Sequence, residues 1–405
     1  MKKIVYIVAT LMFLAACSQD DDLLSNDDKN TSGCNISVSV SKNEALEIAD
    51  KILGKHKGSR SESSEAPVFG YVLGDRPMRL KSAAKDTVAY VINYPDDGGF
   101  AVIATDGRRQ PVLAFSESGR FSFENDNCKE NFLDELPSYL SGTRKIGVDP
   151  GIADFETGEI VKPIIDIKLS QGSPWDKYVV AEHPGCPVGC TAVAAALVMI
   201  YAKDNLKYHG ENYMFQSMVN GIKSGQKGRQ GVKSDGATIG GFGPANPVLP
   251  DTASTITEYV MSYDSAVDKM AKMLYWIGYD VDMNYDTGGS ASNLESMRFL
   301  CSNLGYKVSQ KSKYSFPTVI NLLKNDHIIF FSGKSTVGTG HAWVGDGLKK
   351  LLKREGEDDN EDDYFIHCDW GWNGECNGYY SGDVFSNSRR TYILSYYFAV
   401  KLENK

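Results

Sequence analysis

An apolar run from Thr191 to Ile200 directly follows Cys190, and it constrains the fold more than any other segment of this 405-residue chain. The run predicts a helix whose first turn carries the Cys190 thiol. Unpaired backbone N–H groups and the positive end of the helix dipole favour a thiolate at that position. A cysteine in front of an apolar helix is more often a core residue than a nucleophile. Cys190 therefore needs partners elsewhere in the chain.

Two later segments supply such partners. The sequence GHAWVGDG at 340–347 holds His341 between glycines, and IHCDWGWNG at 366–374 places Asp369 beside Trp370. Glycine at 340 leaves room for close approach, and the strand-like residues after His341 would hold its ring on a rigid element. Papain-like cysteine nucleophiles occur in a set order along the chain. The cysteine comes first, the histidine follows about 150 residues later, and a polar residue that orients the histidine comes last.

These segments resemble the streptopain family of secreted zymogen cysteine peptidases. Residues 171–176, QGSPWD, are similar to the oxyanion-glutamine stretch of that family, and residues 281–290, VDMNYDTGGS, to its substrate-cleft loop. Residues 99–106, GFAVIATD, resemble the propeptide that precedes its catalytic domain. The resemblance covers nearly everything after about residue 38.

The resemblance implies an endopeptidase that hydrolyses peptide bonds through a Cys190 thiolate paired with protonated His341, by way of an acyl-enzyme. It implies that the side-chain amide of Gln171 and the backbone N–H of Cys190 donate to the oxyanion. It implies protein or peptide substrates, no cofactor and no metal. Ser290 would contact the substrate.

One residue departs from the family pattern. Asp369 stands where the family has an asparagine before the tryptophan. A carboxylate can still accept the imidazole N–H of His341, but its charge would raise the histidine pKa. Trp370 would shield that contact from water.

The N-terminus has the pattern of an export signal. Lys2 and Lys3 precede an uncharged run from Ile4 to Ala16 that is too short to span a bilayer and ends in the lipobox-like LAAC at 14–17. This predicts a signal peptide over 1–16, lipidation of Cys17 and a flexible tether over 17–37. The precursor would be anchored at the cell envelope by lipid alone, and the mature enzyme would be released. A plain secretory signal with an incidental cysteine is the alternative.

The rest of the chain divides into two α+β domains. A propeptide domain over 38–155 would contain a helix after the capping box at Ser41, a hairpin from strands 87–94 and 100–104, and a second helix over 131–140. A papain-like, two-subdomain catalytic domain would cover 156–405. Helices come first there, and strands near 328–331, 342–344, 364–367 and 392–402 form an antiparallel sheet. The lysine-rich and acidic residues of 349–363 would form a surface hairpin loop.

The propeptide domain would act as an intramolecular inhibitor of the catalytic domain. A flexible stretch rich in Gly, Asp and Pro separates the two parts, so cleavage between about residues 145 and 171 would activate the enzyme. The net charge of −9 and the lack of a basic arm argue against nucleic acid.

Several alternatives remain open at the sequence level. A lipid-anchored binding or adhesion protein could keep the fold without the activity, and an acyl transferase could use the same residues. A zinc site from Cys186, Cys190, His367 and Cys368 would lack the tight CxxC pairs typical of structural zinc. A disulfide within an oxidising compartment would join two of a set of four cysteines: Cys186, Cys301, Cys368 and Cys376.

Overall fold

An eleven-stranded antiparallel sheet runs through this computed structural model of the chain. The structure describes residues 39–55, 65–73, 87–106, 111–122, 136, 140, 156–229, 261–334, 340–352, 364–382 and 393–403. The helices in these residues are α1 (Lys42–Ile52), α2 (Lys177–Glu182), α3 (Cys190–Ala202), α4 (Phe215–Arg229), α5 (Tyr263–Asp280), α6 (Leu294–Asn303) and α7 (Phe316–Lys324).

The strands follow the chain from β1 to β13. They are β1 (Val68–Leu73), β2 (Thr87–Asn93), β3 (Phe100–Ala104), β4 (Val112–Ser116), β5 (Glu156–Val161), β6 (Asn205–Tyr208), β7 (Glu211–Met214), β8 (Ser312–Lys313), β9 (His327–Lys334), β10 (Gly340–Leu352), β11 (Tyr364–Asp369), β12 (Gly378–Ser381) and β13 (Ile393–Lys401). In the large sheet the order is β1-β2-β3-β4-β12-β11-β10-β9-β13-β8, and β5 pairs with β10. β6 and β7 form a separate hairpin.

The N-terminal elements confirm the predicted local signals. α1 begins at a capping box in which the Ser41 hydroxyl accepts from the Glu44 N–H and the Glu44 carboxylate accepts from the Ser41 N–H. Its apolar stripe, Ala45, Ile48, Ala49 and Ile52, is buried against β2 and β3. β2 and β3 form the predicted hairpin. Of the helix predicted over 131–140, only Leu136 and Leu140 lie within the described residues.

The C-terminal elements confirm the helix after Cys190 and the predicted strands. Residues Thr191 to Ile200 of α3 are all buried, and the helix packs against β9, β10 and β13. The predicted surface loop over 349–363 is wrong at its start. Lys349 lies inside β10, opposite Glu159 and Phe365, and only 5% of its surface is exposed. Its ammonium pairs with Glu117 and lies over the ring of Tyr379, which offsets the cost of burying the charge.

A seam between β4 and β12 joins the N-terminal strands to the rest of the sheet. Phe115 lies opposite Tyr379 in the register, and their rings stack at 5.3 Å. Phe115 also meets Phe365 edge to face at 5.2 Å. The predicted α+β architecture, an N-terminal domain followed by a helical half and a sheet half, is confirmed, and the N-terminal strands extend the same sheet. The boundary near residue 155 stays a prediction.

None of the helices in the described part of the chain has the length and apolar character needed to cross a bilayer.

Gly378 has no side chain, which allows β12 to lie close to β4 at this seam. A residue with a Cβ at this position should weaken the pairing. A Cβ at Gly378 would lie 2.7 Å from the backbone oxygen of Phe115 and 2.9 Å from Cβ of Ser116. Because both neighbours belong to a paired strand, we expect Gly378→Ala to destabilise the full chain by about 1–3 kcal/mol, as overpacking does. Urea unfolding measures the effect. Gly172→Ala is the control, since a Cβ there meets nothing closer than 4.0 Å. Equal midpoints for the two variants would contradict the account of the seam.

Candidate active site

Cys190 is the first residue of α3, and the helix places its thiol beside β10. Gly189 precedes it with a φ of 89°, and a Cβ at Gly189 would lie 2.8 Å from the backbone oxygen of Ser290. Only glycine fits this turn without strain. The thiol is half-buried and free. α3 packs against β10, and His341 is the second residue of that strand, so the two residues lie on packed elements.

His341 is buried within a stack of tryptophan rings. Its ring lies 4.8 Å from that of Trp372, 6.0 Å from that of Trp343 and 6.1 Å from that of Trp370, with interplanar angles below 30°. Its Nε2 lies 3.0 Å from the backbone oxygen of Trp370. A carbonyl only accepts, so Nε2 carries the proton in this contact. Nδ1 is then the ring nitrogen that can accept a proton.

The structure corrects the expected partner of Asp369. The carboxylate accepts from the Gly371 N–H at 2.9 Å and from Nδ2 of Asn377 at 2.7 Å, and it makes no hydrogen bond to His341. Oδ1 of Asn377 in turn accepts from the Trp370 N–H at 3.0 Å. The sheet register explains the difference, because Asp369 lies opposite Val344, three residues beyond His341. Asp369 therefore shapes the turn that presents the Trp370 oxygen.

Next to this turn lies a buried ionisable pair that the sequence did not reveal. Nδ1 of His367 lies 2.6 Å from Oδ1 of Asp346, and Oδ2 of Asp346 accepts from the N–H groups of Ile164 and Ile165. Burial alone would lower the pKa of His367, but the Asp346 charge and hydrogen bond outweigh it and raise that pKa. Burial raises the pKa of Asp369 to about 6, with the Asp346 charge acting in the same direction.

Gln171 and Ser290 lie on either side of the Cys190 turn. The backbone oxygen of Gln171 accepts from the Val188 N–H at 2.9 Å, which ties the glutamine to the segment just before Cys190. Ser290 is buried against Gly189, and its hydroxyl has no hydrogen-bond partner among the described residues. The structure thus brings both predicted residues to the candidate site. Cys17 lies outside the described residues.

Burial sets the charge state of the two central groups. It raises the pKa of the Cys190 thiol, against the opposing hydrogen bonds from the N–H groups of Ala342, Thr191 and Cys190 itself. It lowers the pKa of His341 to about 4, although the Trp370 oxygen acts in the other direction. Both shifts favour the neutral forms of the two groups. The expected thiolate and imidazolium pair stays a prediction.

The remaining cysteines differ from the expected pattern. Cys186, Cys301 and Cys368 are free, whereas Cys376 is disulfide-bonded. A disulfide between two members of the predicted set is therefore wrong. Across the described residues, no three His, Cys, Asp or Glu side chains are arranged to hold a metal ion.

Comparisons with known proteins find an inhibitor profile in the N-terminal part of the chain and a peptidase profile in the C-terminal part. The profile of the Peptidase C10 family matches residues 169–380, and that of the Spi protease inhibitor matches residues 37–139. Streptopain of Streptococcus pyogenes is 27% identical over 340 residues, which are 74% of this chain and 75% of that protein. The thiol protease/hemagglutinin PrtT of Porphyromonas gingivalis is 21% identical over 371 residues, 84% of this chain and 38% of that protein.

A solved structure is similar as well. It is a fragment of prointerpain A from Prevotella intermedia, with a TM-score of 0.49 and 17% identity, and the match covers 82% of this chain and 98% of that one.

The buried Asp369 carboxyl should make stability depend on pH. Its folded pKa of about 6 lies above the ordinary value of 3.8, so its contribution is fully present below about pH 4 and is lost as the pH rises through 6. Asparagine can keep the Gly371 hydrogen bond without charge, but its NH2 would face the Nδ2 donor of Asn377, a cost that does not depend on pH. We therefore expect the unfolding free energy of Asp369→Asn, taken relative to the wild type, to rise by up to about 3 kcal/mol between pH 4 and 7.

Urea unfolding of both proteins across that range measures the difference. Asp326→Asn, which removes a partly exposed carboxylate bound to Lys401, reports the effect of losing one surface charge. A stability difference between Asp369→Asn and wild type that does not change with pH would contradict this account.

Proposed function

Because the chain belongs to the Peptidase C10 family, we propose that Cys190 and His341 are the catalytic pair of an exported cysteine endopeptidase. Membership in the family and similarity to streptopain make the protein a cysteine-type peptidase with a zymogen organisation. One observation supports the pair most strongly. His341 donates from Nε2 to the Trp370 oxygen, which leaves Nδ1 as proton acceptor, and its strand β10 packs against the helix that begins at Cys190.

The proposed reaction follows from these two groups. His341 accepts the thiol proton at Nδ1, and the Cys190 sulfur attacks the carbonyl carbon of the scissile peptide bond. The C–N bond then breaks as the imidazolium delivers its proton to the leaving amine. In the second half, neutral His341 accepts a proton from water, whose oxygen attacks the thioester. The acid leaves, and the thiol is restored.

Two donors would stabilise the oxyanion. Cys190 is the first residue of α3, so its backbone N–H has no partner within the helix and can point at a developing negative charge. The side-chain amide of Gln171 would supply the second donor, since its backbone is tied to Val188 on the same turn. Loss of one such donor typically costs ~10²–10³ in rate.

Three further residues would support the reaction. Trp370 would orient the imidazole through its backbone oxygen and shield it with its ring, which lies parallel to that of His341. Asp369 would act on the ring indirectly, by holding the turn at Gly371 and Asn377. The unpartnered Ser290 hydroxyl would contact the substrate next to Gly189.

The N-terminal part would keep the enzyme silent until the chain is cut. The match of residues 37–139 to the profile of the Spi protease inhibitor supports this role. Cleavage between about residues 145 and 171 would separate residues 38–155 from the catalytic residues at 156–405. The proposal also includes a signal peptide over 1–16, a tether over 17–37 and a lipid on Cys17. The lipid anchor would lie on the N-terminal side of the activating cut.

Cysteine substitutions test the assignment of the nucleophile. We expect Cys190→Ala to lower hydrolysis of a fluorogenic peptide by about 10⁴-fold or more in the cut protein assayed with a dithiol, because the reaction loses its nucleophile. Cys186→Ala is the matched control, since Cys186 is a free, buried cysteine four residues away, and it should keep most of the activity. An inactive Cys186→Ala with an active Cys190→Ala would refute the assignment. Analysis of the products formed with an added amine distinguishes hydrolysis from acyl transfer. If a peptidyl epoxide labels neither Cys190 nor Cys186, the result would favour a binding protein.

A further inference from the structure

Cys376 is disulfide-bonded and lies in the loop between β11 and β12. The other cysteines in the described residues are all free: Cys186, Cys190, Cys301 and Cys368. The chain has eight cysteines, and the remaining three, Cys17, Cys34 and Cys128, lie outside the described residues. All three precede residue 169, where the Peptidase C10 match begins.

We propose that this disulfide ties the catalytic part to the inhibitory N-terminal part, so that cutting the chain between them does not release the inhibitor. Release then requires a second, reductive step. The proposal rests on the zymogen function above and adds a thiol-dependent control to it.

The surroundings of Cys376 show that it already lies against the N-terminal part. Its side chain is buried, and its N–H donates to the backbone oxygen of Arg120 at 3.2 Å. Its own oxygen accepts from the Tyr380 hydroxyl at 2.6 Å, and Tyr380 lies opposite Ala114 across the seam between β4 and β12. We expect Cys128 to be the partner, because it follows Arg120 by only eight residues.

The disulfide is attached to the loop that orients the catalytic histidine. Residues 370–377 connect β11 to β12 and include Trp370, whose oxygen holds His341, and Trp372, whose ring stacks on it. Asn377, the residue after Cys376, bonds the Trp370 N–H. An N-terminal part that is linked here stays next to the active site after the chain is cut.

The covalent link changes how strongly the cut inhibitor is held. Without it, the N-terminal part becomes a separate molecule that dissociates on dilution. With it, the effective concentration of the inhibitor stays on the order of mM whatever the protein concentration. At micromolar protein the link therefore raises the local inhibitor concentration by about 10³-fold.

Release would proceed by thiol–disulfide exchange with a dithiol. One thiolate of the dithiol attacks a sulfur of the bond and expels the other as a thiolate, and the second thiol of the reductant closes on the first. Two electrons pass to the protein, Cys376 and its partner become thiols, and the dithiol becomes a disulfide. Because only 1% of Cys376 is exposed, attack should be slow in the uncut chain and faster once cleavage loosens the seam.

The test uses the full chain with Cys190→Ala, so that it is independent of peptidase activity. A site for a specific protease is inserted within residues 145–155, and the chain is cut without reductant. On a denaturing gel we expect one linked species near 44.5 kDa, which dithiothreitol separates into two fragments. Adding Cys376→Ser should separate the fragments without dithiothreitol. Cys301→Ser is the control, because Cys301 is buried and free, and it should stay linked.

Two results would overturn the proposal. One is separation of the cut Cys190→Ala fragments on the gel without reductant. The other is a peptide map of the unreduced protein in which Cys376 is a free thiol or is paired with Cys186, Cys301 or Cys368. Pairing with Cys17, Cys34 or Cys128 supports it. Failure of the proposed peptidase function would leave both readouts unaffected, so the two ideas fail separately.

The retention step is tested on a resin that holds the N-terminal part of the cut Cys190→Ala protein through a tag. We expect at least tenfold more peptidase part in a nanomolar-scale wash for Cys376→Ser than for the disulfide-bonded protein. Equal retention would show that non-covalent contacts alone hold the parts together and would refute the role of the disulfide.

Discussion

The hydrogen bond from His341 to the Trp370 oxygen is the interaction on which the rest of the active site depends. It fixes the ring and decides which nitrogen can take the thiol proton. The Trp370 oxygen is itself placed by a turn, which Asp369 and Asn377 hold by hydrogen bonds. That turn leads into β12, and β12 pairs with β4 of the N-terminal part. A continuous set of contacts therefore runs from the N-terminal strands to the imidazole of His341.

Burial acts on both central groups of the candidate site. In the uncut chain the thiol and the imidazole are both shifted toward their neutral forms. A helix N-terminus and a nearby imidazolium would favour the thiolate, so these effects and burial act on Cys190 in opposite directions. The buried pair of Asp346 and His367 lies behind the turn and keeps a charge close to Asp369.

Much of this could be predicted because it depends on side-chain pattern. The apolar run marked α3, the capping box marked α1, and alternating residues marked the strands. The sequence could not show that a backbone oxygen, rather than Asp369, orients His341, because every residue carries the same oxygen. It could not show that Lys349 is buried, since its partners Glu117 and Tyr379 are distant in sequence. The sequence marked Cys376 as a candidate for a disulfide, but the three partners it suggested are all free.

The most direct measurement is active-site labelling before and after the chain is cut. A peptidyl epoxide is added to the uncut and the cut protein, with a dithiol present throughout, and the modified residue is located by mass spectrometry. The account predicts no labelling of the uncut chain and labelling of Cys190 alone after cutting. Labelling at the same rate in both forms, or labelling of Cys186 or Cys301 in place of Cys190, would contradict it.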